Sequence, residues 1–113
     1  MVKPHVPDRG DVVWLDWDPQ AGHEQGGHRP ALVLSPRSYN GLVGLALFCP
    51  LTSQEKGYPF EVPLPAGSKA RGAVLADQIK SFDWRARSAH LMTRLPEDLV
   101  EEVLVKLSLL LRP

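Results

Sequence analysis

The stretch GDVVWLDWD, residues 10–18, has an apolar side chain at every second position from Val13 to Trp17, and its pattern decides the fold class. In an extended chain Val13, Leu15 and Trp17 would share one face, while the opposite face is of mixed character and ends at Asp16. A period of two residues is typical of a β-strand with one buried face. The segment therefore predicts a strand close to the start of the chain.

Further short apolar runs follow, each bounded by glycine, proline or polar residues. This pattern indicates a series of short strands joined by turns. We expect strands at Arg29–Leu34, Leu45–Cys49, Phe60–Leu64 and Gly72–Ile79.

The end of the chain has the pattern of an amphipathic helix. Pro96 is tolerated in a first helical turn, and the acidic residues after it favour the positive end of the helix dipole. An apolar stripe follows at helical spacing, formed by Leu99, Val103, Leu107 and Leu110. Short strands followed by one packed helix predict an α+β fold, a small and strongly bent antiparallel sheet or barrel, in a single domain over residues 1–113. The width of the stripe is explained by a dimer or by packing within one monomer.

Composition restricts the class of protein. The 113 residues, 43% hydrophobic and 23% charged, are typical of one globular domain and not of a disordered chain. The single cysteine, Cys49, has no partner for an internal disulfide, which points to a reducing compartment. The longest apolar run, Leu42–Leu51, is too short to span a bilayer, and Met1–Asp8 lacks the apolar core of a signal peptide. We therefore expect a cytoplasmic protein without membrane attachment.

The formal net charge is zero, but the charges are unevenly distributed. Residues 50–94 contain seven basic and four acidic side chains, whereas residues 95–113 contain two basic and four acidic ones. A locally basic surface that binds nucleic acid is therefore compatible with the composition, and so is an ordinary mixed surface.

The polar segment GHEQGGHRP, residues 22–30, is a first candidate site. It places Glu24, Gln25, His28 and Arg29 around a glycine pair. An arginine next to a proline at the start of a strand is held rigidly, which suits bidentate binding of a phosphate. A solvated hairpin loop in which the arginine forms a surface ion pair explains the same residues.

Two later segments are also candidates. In PLTSQEKGYPF, residues 50–60, Thr52 and Ser53 follow an apolar strand, where hydroxyl groups form turns more often than they catalyse. In DQIKSFDWRAR, residues 77–87, cationic and aromatic side chains alternate, which suits single-stranded nucleic acid. A strand end with a partly buried Trp84 explains the third segment as well.

Other chemistries lack a signature in this sequence. His23 and His28 are five residues apart without a nearby cysteine or an HExxH spacing, so we expect no metal site. No glycine motif for a nucleotide and no nucleophile elbow occurs, so we expect no cofactor. Cys49 lies in an apolar run and is expected in the core.

Three segments together resemble the MazF/PemK toxin family. They are PDRGDVVWLDWDPQAGHEQGGHRPALVLSP at residues 7–36, PLTSQEKGYPFEVPL at residues 50–64 and GAVLADQIKSFDWRAR at residues 72–87, and Tyr39-Asn40 lies between them in family order. The HRPALVLSP and LADQIKS stretches are the specific ones. The C-terminal helix matches only as a generic amphipathic element.

The resemblance implies a CcdB/MazF-like fold, an SH3-like barrel with helices, that forms a homodimer with RNA bound along the dimer interface. It implies a toxin endoribonuclease that cleaves single-stranded RNA at short sequences without a metal or cofactor. A cognate antitoxin protein is also implied, because such partners lay an acidic, partly disordered segment over the RNA groove.

The resemblance also implies roles for individual residues. Arg29 and Thr52 occupy the family's main catalytic positions, and Glu24 a position implicated in activity in part of the family. Because RNA supplies its own 2′-hydroxyl nucleophile, Arg29 would stabilise the charge developing on the phosphate and protonate the leaving oxygen. Thr52 would position the phosphate or help to deprotonate the 2′-hydroxyl. Glu24 is the preferred general base, and His28 is its rival.

Recognition of RNA bases would fall to loop side chains and exposed aromatic rings. The predicted RNA-binding residues are Gln25, Ser53, Lys56, Tyr58, Gln78, Lys80, Trp84, Arg85 and Arg87. Two other functions stay open. One is a non-catalytic nucleic-acid-binding module of the same fold, and the other is a gyrase-poisoning toxin of the CcdB type. The second depends on a C-terminal tail containing tryptophan, from which the Leu110–Pro113 end of this sequence departs.

Overall fold

The computed structural model describes residues 5–113, so the first half of the segment tested for a signal peptide, residues 1–4, lies outside the described residues. The elements are β1 (Asp11–Asp16), β2 (His28–Val33), α1 (Arg37–Val43), β3 (Leu45–Thr52), β4 (Glu61–Pro63), β5 (Ala73–Leu75), a 3₁₀ turn (Ala76–Gln78), β6 (Lys80–Asp83), β7 (His90–Arg94) and α2 (Glu97–Leu111). None of the helices in this part of the chain has the length and apolar character that a bilayer crossing requires.

The seven strands form one antiparallel sheet in the order β4–β5–β3–β2–β1–β7, with β6 also paired to β3. Strand β3 is central, because it pairs with β2 along one edge and with β6 and then β5 along the other. No pairing within residues 5–113 joins β4 to β7, so the sheet stays open instead of closing into a complete barrel. The predicted α+β class, an antiparallel sheet with a C-terminal helix, is confirmed.

Apolar side chains cover both faces of this sheet. On one face Val13, Leu15 and Trp17 are buried in a common cluster, as the alternation along β1 predicts. On the other face Val12 packs in a second cluster together with Val103 of α2. Complete burial of one such side chain contributes about 1.5–3 kcal/mol. The helix is therefore fixed to the sheet by its apolar stripe.

The strand predicted for Leu45–Cys49 continues to Thr52. Pro50, which has no backbone N–H, lies inside it at the point where the partner of β3 changes. The ladder with β6 includes Phe48, and the ladder with β5 begins at Leu51, so the missing donor interrupts neither. Thr52 is thus the last residue of a strand and not part of the loop that follows.

Two other sequence predictions differ from the structure, and strand β7 was not predicted. The strand predicted for Gly72–Ile79 is only three residues long and is followed by the 3₁₀ turn, because its partner β4 begins at Glu61, opposite Leu75. Strand β7 is an edge strand with exposed or half-buried side chains, so it lacks the alternation that would predict it. Pro96 is the N-cap of α2 and not a residue of its first turn.

Asn40 of α1 is completely buried and joins three parts of the chain. Its Nδ2 donates hydrogen bonds to the carbonyl groups of Pro7 (2.7 Å) and Ser35 (2.9 Å), and its Oδ1 accepts one from the Ser35 hydroxyl (2.5 Å). Its own carbonyl accepts a hydrogen bond from the indole N–H of Trp84 (2.9 Å). The Asn40 side chain therefore connects α1 with the N-terminal segment and with the segment after β2, and the Asn40 backbone carbonyl connects α1 with the segment after β6.

We expect Asn40→Ala to lower the free energy of unfolding by about 2–4 kcal/mol, because it leaves buried carbonyl groups without a donor. Urea unfolding followed by tryptophan fluorescence measures the change. Ser38→Ala, at an exposed position of the same helix, should stay within about 0.5 kcal/mol of the wild type. An Asn40→Ala protein as stable as the wild type would contradict this role.

Candidate active site

The polar segments converge on an open cleft of about 390 Å³ at one end of the sheet. It lies between the loop that joins β1 to β2, residues 17–27, and the loop that joins β3 to β4, residues 53–60. The lining residues are His23, Gln25, Arg29, Thr52, Ser53, Gln54, Lys56, Tyr58, Glu61, Leu75, Asp77 and Gln78. Seven of these twelve are site residues that the sequence predicted.

Arg29 and Thr52 come together because β2 and β3 are antiparallel neighbours. Ala31 pairs with Pro50, and continuing this register by two residues places Arg29 opposite Thr52. Opposite residues of antiparallel strands share a face and have Cβ atoms about 4.5–5.5 Å apart. Arg29 Nη1 also donates a hydrogen bond to the carbonyl of Leu51, at 3.2 Å. The two predicted catalytic residues therefore lie side by side in the cleft.

Arg29 is half-buried, and its guanidinium is held by its own loop. Nε donates to the carbonyl of Gly26 at 2.7 Å, and Nη1 donates to the side-chain oxygen of Gln25. No hydrogen bond within residues 5–113 uses Nη2, so this nitrogen is left for an anionic ligand. Burial lowers the pKa of the Arg29 guanidinium below its ordinary value, which favours proton donation while the group stays charged at neutral pH.

Thr52 is 9% exposed, and its position is fixed on two sides. Its Oγ1 accepts a hydrogen bond from the backbone N–H of Gln54 at 3.1 Å, which leaves the hydroxyl proton available to a ligand. Gly72 lies against its backbone, where an added Cβ would be 1.9 Å from the Thr52 carbonyl oxygen. With a φ of +97°, position 72 requires glycine on both steric and conformational grounds.

The 3₁₀ turn contacts both loops that border the cleft. Gln78 Oε1 accepts a hydrogen bond from the backbone N–H of Gln25 at 3.0 Å, and Asp77 accepts one from the Tyr58 hydroxyl at 2.7 Å. The hydrogen bond to the Asp77 carboxylate raises the pKa of Tyr58. The 3₁₀ turn thus connects three residues that are predicted to bind RNA, namely Gln25, Tyr58 and Gln78.

Glu24 does not line the cleft. Its carboxylate lies 2.9 Å from Lys80 Nζ and accepts the backbone N–H of Ala21 at 2.9 Å, and these two contacts lower the pKa of Glu24. A carboxylate stabilised in its charged form is a weaker base. The geometry therefore does not support Glu24 as general base, and Lys80 is an ion-pair partner here and not a cleft residue.

His28 faces away from the cleft, which contradicts its role as rival base. It directly precedes Arg29 on β2, and successive side chains of a strand point to opposite faces. Its ring stacks on those of Trp14 and His90, with centroids 5.6 and 5.9 Å away.

The prediction that Trp84 stacks on RNA bases is wrong for this structure. The side chain is 2% exposed, and its indole N–H is used by Asn40. The guanidinium of Arg85 lies over the Trp84 ring at 4.9 Å, and that of Arg87 lies over Phe82 at 4.2 Å. Neither arginine lines the cleft, so their contact with RNA stays a prediction.

Four polar residues line the cleft but were not among the predicted catalytic or RNA-binding residues, namely His23, Gln54, Glu61 and Asp77. The only signal for Asp77 is its position next to Gln78 in the LADQIKS stretch. Cys49 is buried in the core as predicted, and burial raises the pKa of its thiol to about 12. Within the described residues, no three His, Cys, Asp or Glu side chains are grouped so that they could hold a metal ion.

The family model described as "PemK-like, MazF-like toxin of type II toxin-antitoxin system" matches residues 8–111. The chain is 57% identical over 89 residues to the endoribonuclease toxin MazF of Escherichia coli K12, covering 79% of each protein. The crystal structure of MazF from Deinococcus radiodurans superposes with a TM-score of 0.91 at 58% identity, covering 95% of this chain and 97% of that one. A MazE–MazF crystal structure from the same organism superposes with a TM-score of 0.86 at 58% identity, covering 95% and 96% of the two chains. The chain therefore belongs to the PemK-like, MazF-like toxin family of type II toxin–antitoxin systems.

Proposed function

We propose that this protein is a toxin endoribonuclease that cuts single-stranded RNA at short specific sequences. The observation that carries the proposal is the placement of Arg29, at the start of β2, beside Thr52, at the end of β3, in an open polar cleft. The reaction class is supported by relatives named as endoribonucleases, among them the Escherichia coli MazF with 57% identity. The protein would act in the cytoplasm, where messenger RNA is available.

The chemistry needs few protein groups, because RNA brings its own nucleophile. The 2′-oxygen gives its proton to a base and attacks the neighbouring phosphorus, and the bond to the 5′-oxygen breaks. The leaving oxygen takes a proton from the Arg29 guanidinium, which regains one from water, so the products are a 2′,3′-cyclic phosphate and a 5′-hydroxyl. Arg29 Nη2 donates to the phosphoryl oxygens as negative charge develops, and one such preorganised donor is worth roughly 3 kcal/mol. The Thr52 hydroxyl donates a hydrogen bond to a second phosphoryl oxygen and thereby orients the phosphate. Such a mechanism requires no metal or cofactor.

His23 is our candidate for the group that accepts the 2′-hydroxyl proton, in place of Glu24 and His28. The imidazole and carboxylate groups in the lining are those of His23, Glu61 and Asp77. The two carboxylates are used by the backbone of residues 56–58 and by Tyr58. His23 forms no hydrogen bond within the described residues, and imidazole is the side chain suited to proton transfer near neutral pH.

Recognition of the bases falls to cleft residues of the two loops and the 3₁₀ turn. Gln25 and Gln78 offer amide groups to base edges, Tyr58 offers a ring for stacking, and Lys56 and Ser53 can bind neighbouring phosphates. The RNA sequence that is cut therefore depends on these few side chains.

We also propose that the protein forms a homodimer. An apolar groove of about 370 Å³ lies between α1 and α2 and includes Tyr39, Leu47 and Leu107 in its lining. Leu42 and Leu110 of the same two helices are 87% and 48% exposed, although Leu110 belongs to the apolar stripe of α2. Exposed apolar surface of this kind is typical of an interface, and a second copy of the chain would cover it.

A cognate antitoxin is the second proposed partner. The MazE–MazF complex from Deinococcus radiodurans, whose MazF chain is 58% identical, supports such a partner. Arg29 and Lys56 in the cleft provide positive charge, which an acidic segment of an antitoxin would complement.

The first test is incubation of the antitoxin-free protein with a long single-stranded RNA in EDTA, with the new ends mapped. We expect discrete cuts ending in 2′,3′-cyclic phosphate. Arg29→Ala should lower kcat/KM by about 100-fold or more, since it removes the donor at the phosphate. Arg37→Ala, an exposed arginine of α1, is the matched control and should cut normally. Intact RNA from a folded wild-type sample would refute the nuclease and favour a non-catalytic binding module.

Substitution tests His23. His23→Gln should lower kcat by about 100-fold, the usual contribution of general base catalysis, because the imidazole that accepts the 2′-hydroxyl proton is lost. Glu24→Gln, which changes a neighbouring side chain outside the cleft, should cut RNA at the wild-type rate. The assignment is wrong if His23→Gln keeps the wild-type kcat.

Sedimentation velocity tests the homodimer. Leu47→Asp places a charge in the apolar groove and should shift the protein from dimer to monomer. Leu91→Asp, at an exposed apolar position of β7 outside the groove, is the matched control. A wild-type protein that sediments as a monomer at micromolar concentration would contradict the proposal.

A further inference from the structure

Glu61, the first residue of β4, has a buried carboxylate that faces the backbone of the 53–60 loop. Oε1 accepts the N–H groups of Lys56 at 3.1 Å, Gly57 at 3.0 Å and Tyr58 at 3.3 Å, and Oε2 accepts that of Lys56 at 3.2 Å. Successive backbone N–H groups that converge in this way form an anion-binding concavity. In this protein the anion in the concavity is the Glu61 carboxylate.

The 53–60 loop has few other contacts that determine its shape. Residues 53–59 are exposed and belong to no helix or strand. Gly57 has a φ of +73°, which lets neighbouring N–H groups point in the same direction. From α2, Lys106 Nζ donates to the carbonyl groups of Pro59 at 2.8 Å and Glu61 at 3.0 Å. Glu61 thus holds the middle of the loop, and Lys106 holds its end.

Two of the three residues whose backbone N–H groups Glu61 binds also line the cleft, namely Lys56 and Tyr58. Lys56 and Tyr58 extend into it, and the Tyr58 hydroxyl reaches Asp77. The direction of a side chain depends on its backbone dihedral angles. The Glu61 carboxylate therefore determines where Lys56 and Tyr58 lie relative to Thr52.

We propose that Glu61 is a positioning residue for RNA cleavage, which holds the 53–60 loop in the conformation that presents Lys56 and Tyr58 to the RNA. The inference rests on the proposed function. Because its carboxylate is occupied by backbone N–H groups, Glu61 does not act on the reacting atoms. Its loss therefore affects the binding of RNA more than the chemical step.

The test compares Glu61→Ala and Glu61→Gln with Glu55→Ala, which removes a carboxylate from the same loop. The Glu55 side chain forms no hydrogen bond within residues 5–113, so it controls for the change in charge. Two quantities are measured on the whole protein. One is the steady-state cleavage of a short RNA, with and without formate and with chloride at matched ionic strength. The other is the hydrogen exchange rate of the amides of residues 56–58 without RNA.

In Glu61→Ala we expect KM to rise about tenfold and kcat to change less than about threefold, because uniform binding is lost. The three amides should exchange at least about tenfold faster, and formate should restore both quantities in part by occupying the concavity. Glu61→Gln keeps one acceptor oxygen, so its KM and amide exchange rates should lie between those of the wild type and Glu61→Ala. The same comparison is made with Glu61→Gln alone if Glu61→Ala does not fold. Glu55→Ala should change neither quantity.

A Glu61→Ala protein with fast amide exchange and an unchanged KM would overturn the inference, and so would a loss confined to kcat. If the wild-type protein cuts RNA and Glu61→Ala keeps the wild-type KM and amide exchange rates, only this inference is refuted. A folded wild type that leaves RNA intact refutes the proposed function, and the positioning role with it.

Discussion

The antiparallel pairing of β3 with β2 is the constraint on which the rest of the molecule depends. Its register brings Arg29, at the start of β2, opposite Thr52, at the end of β3, although the two are separated by a helix and most of two strands. The same strand pairs on its other edge with β6 and then with β5, and the second of these ladders places Gly72 against Thr52. One strand therefore sets both the sheet order and the geometry of the cleft.

The sheet and the cleft are stabilised by different forces. Both faces of the sheet are buried by apolar clusters, and α2 covers one of them. The loops around the cleft are held by polar contacts instead, such as those of Glu61 with residues 56–58 and of Lys80 with Glu24. Segments with few buried apolar contacts open at low cost in free energy. Arg29 and Thr52 thus belong to the packed sheet, whereas the loops on either side of them are the less stable part of the cleft.

Three predicted site residues lie outside the cleft for related physical reasons. Glu24, His28 and Trp84 belong to segments that do approach the cleft, but the side chains point elsewhere. Strand alternation turns His28 to the opposite face from Arg29, and Lys80 binds the Glu24 carboxylate. Trp84 is buried because its indole N–H finds a partner in Asn40 of α1. The direction in which a side chain points and the group that it contacts are properties of the folded chain, and a sequence motif does not contain them.

By itself, the sequence determined the α+β class and the family, because alternation, helical spacing and the HRPALVLSP motif are local patterns. It also singled out Arg29 and Thr52, which the folded chain places in one cleft. Element ends, the edge strand β7 and the open sheet were decided by the tertiary structure, since they depend on where a neighbouring strand begins and ends. The presence of His23, Glu61 and Asp77 in the same cleft was decided there as well, because strand pairing between segments distant in sequence brings their loops together only after the chain has folded.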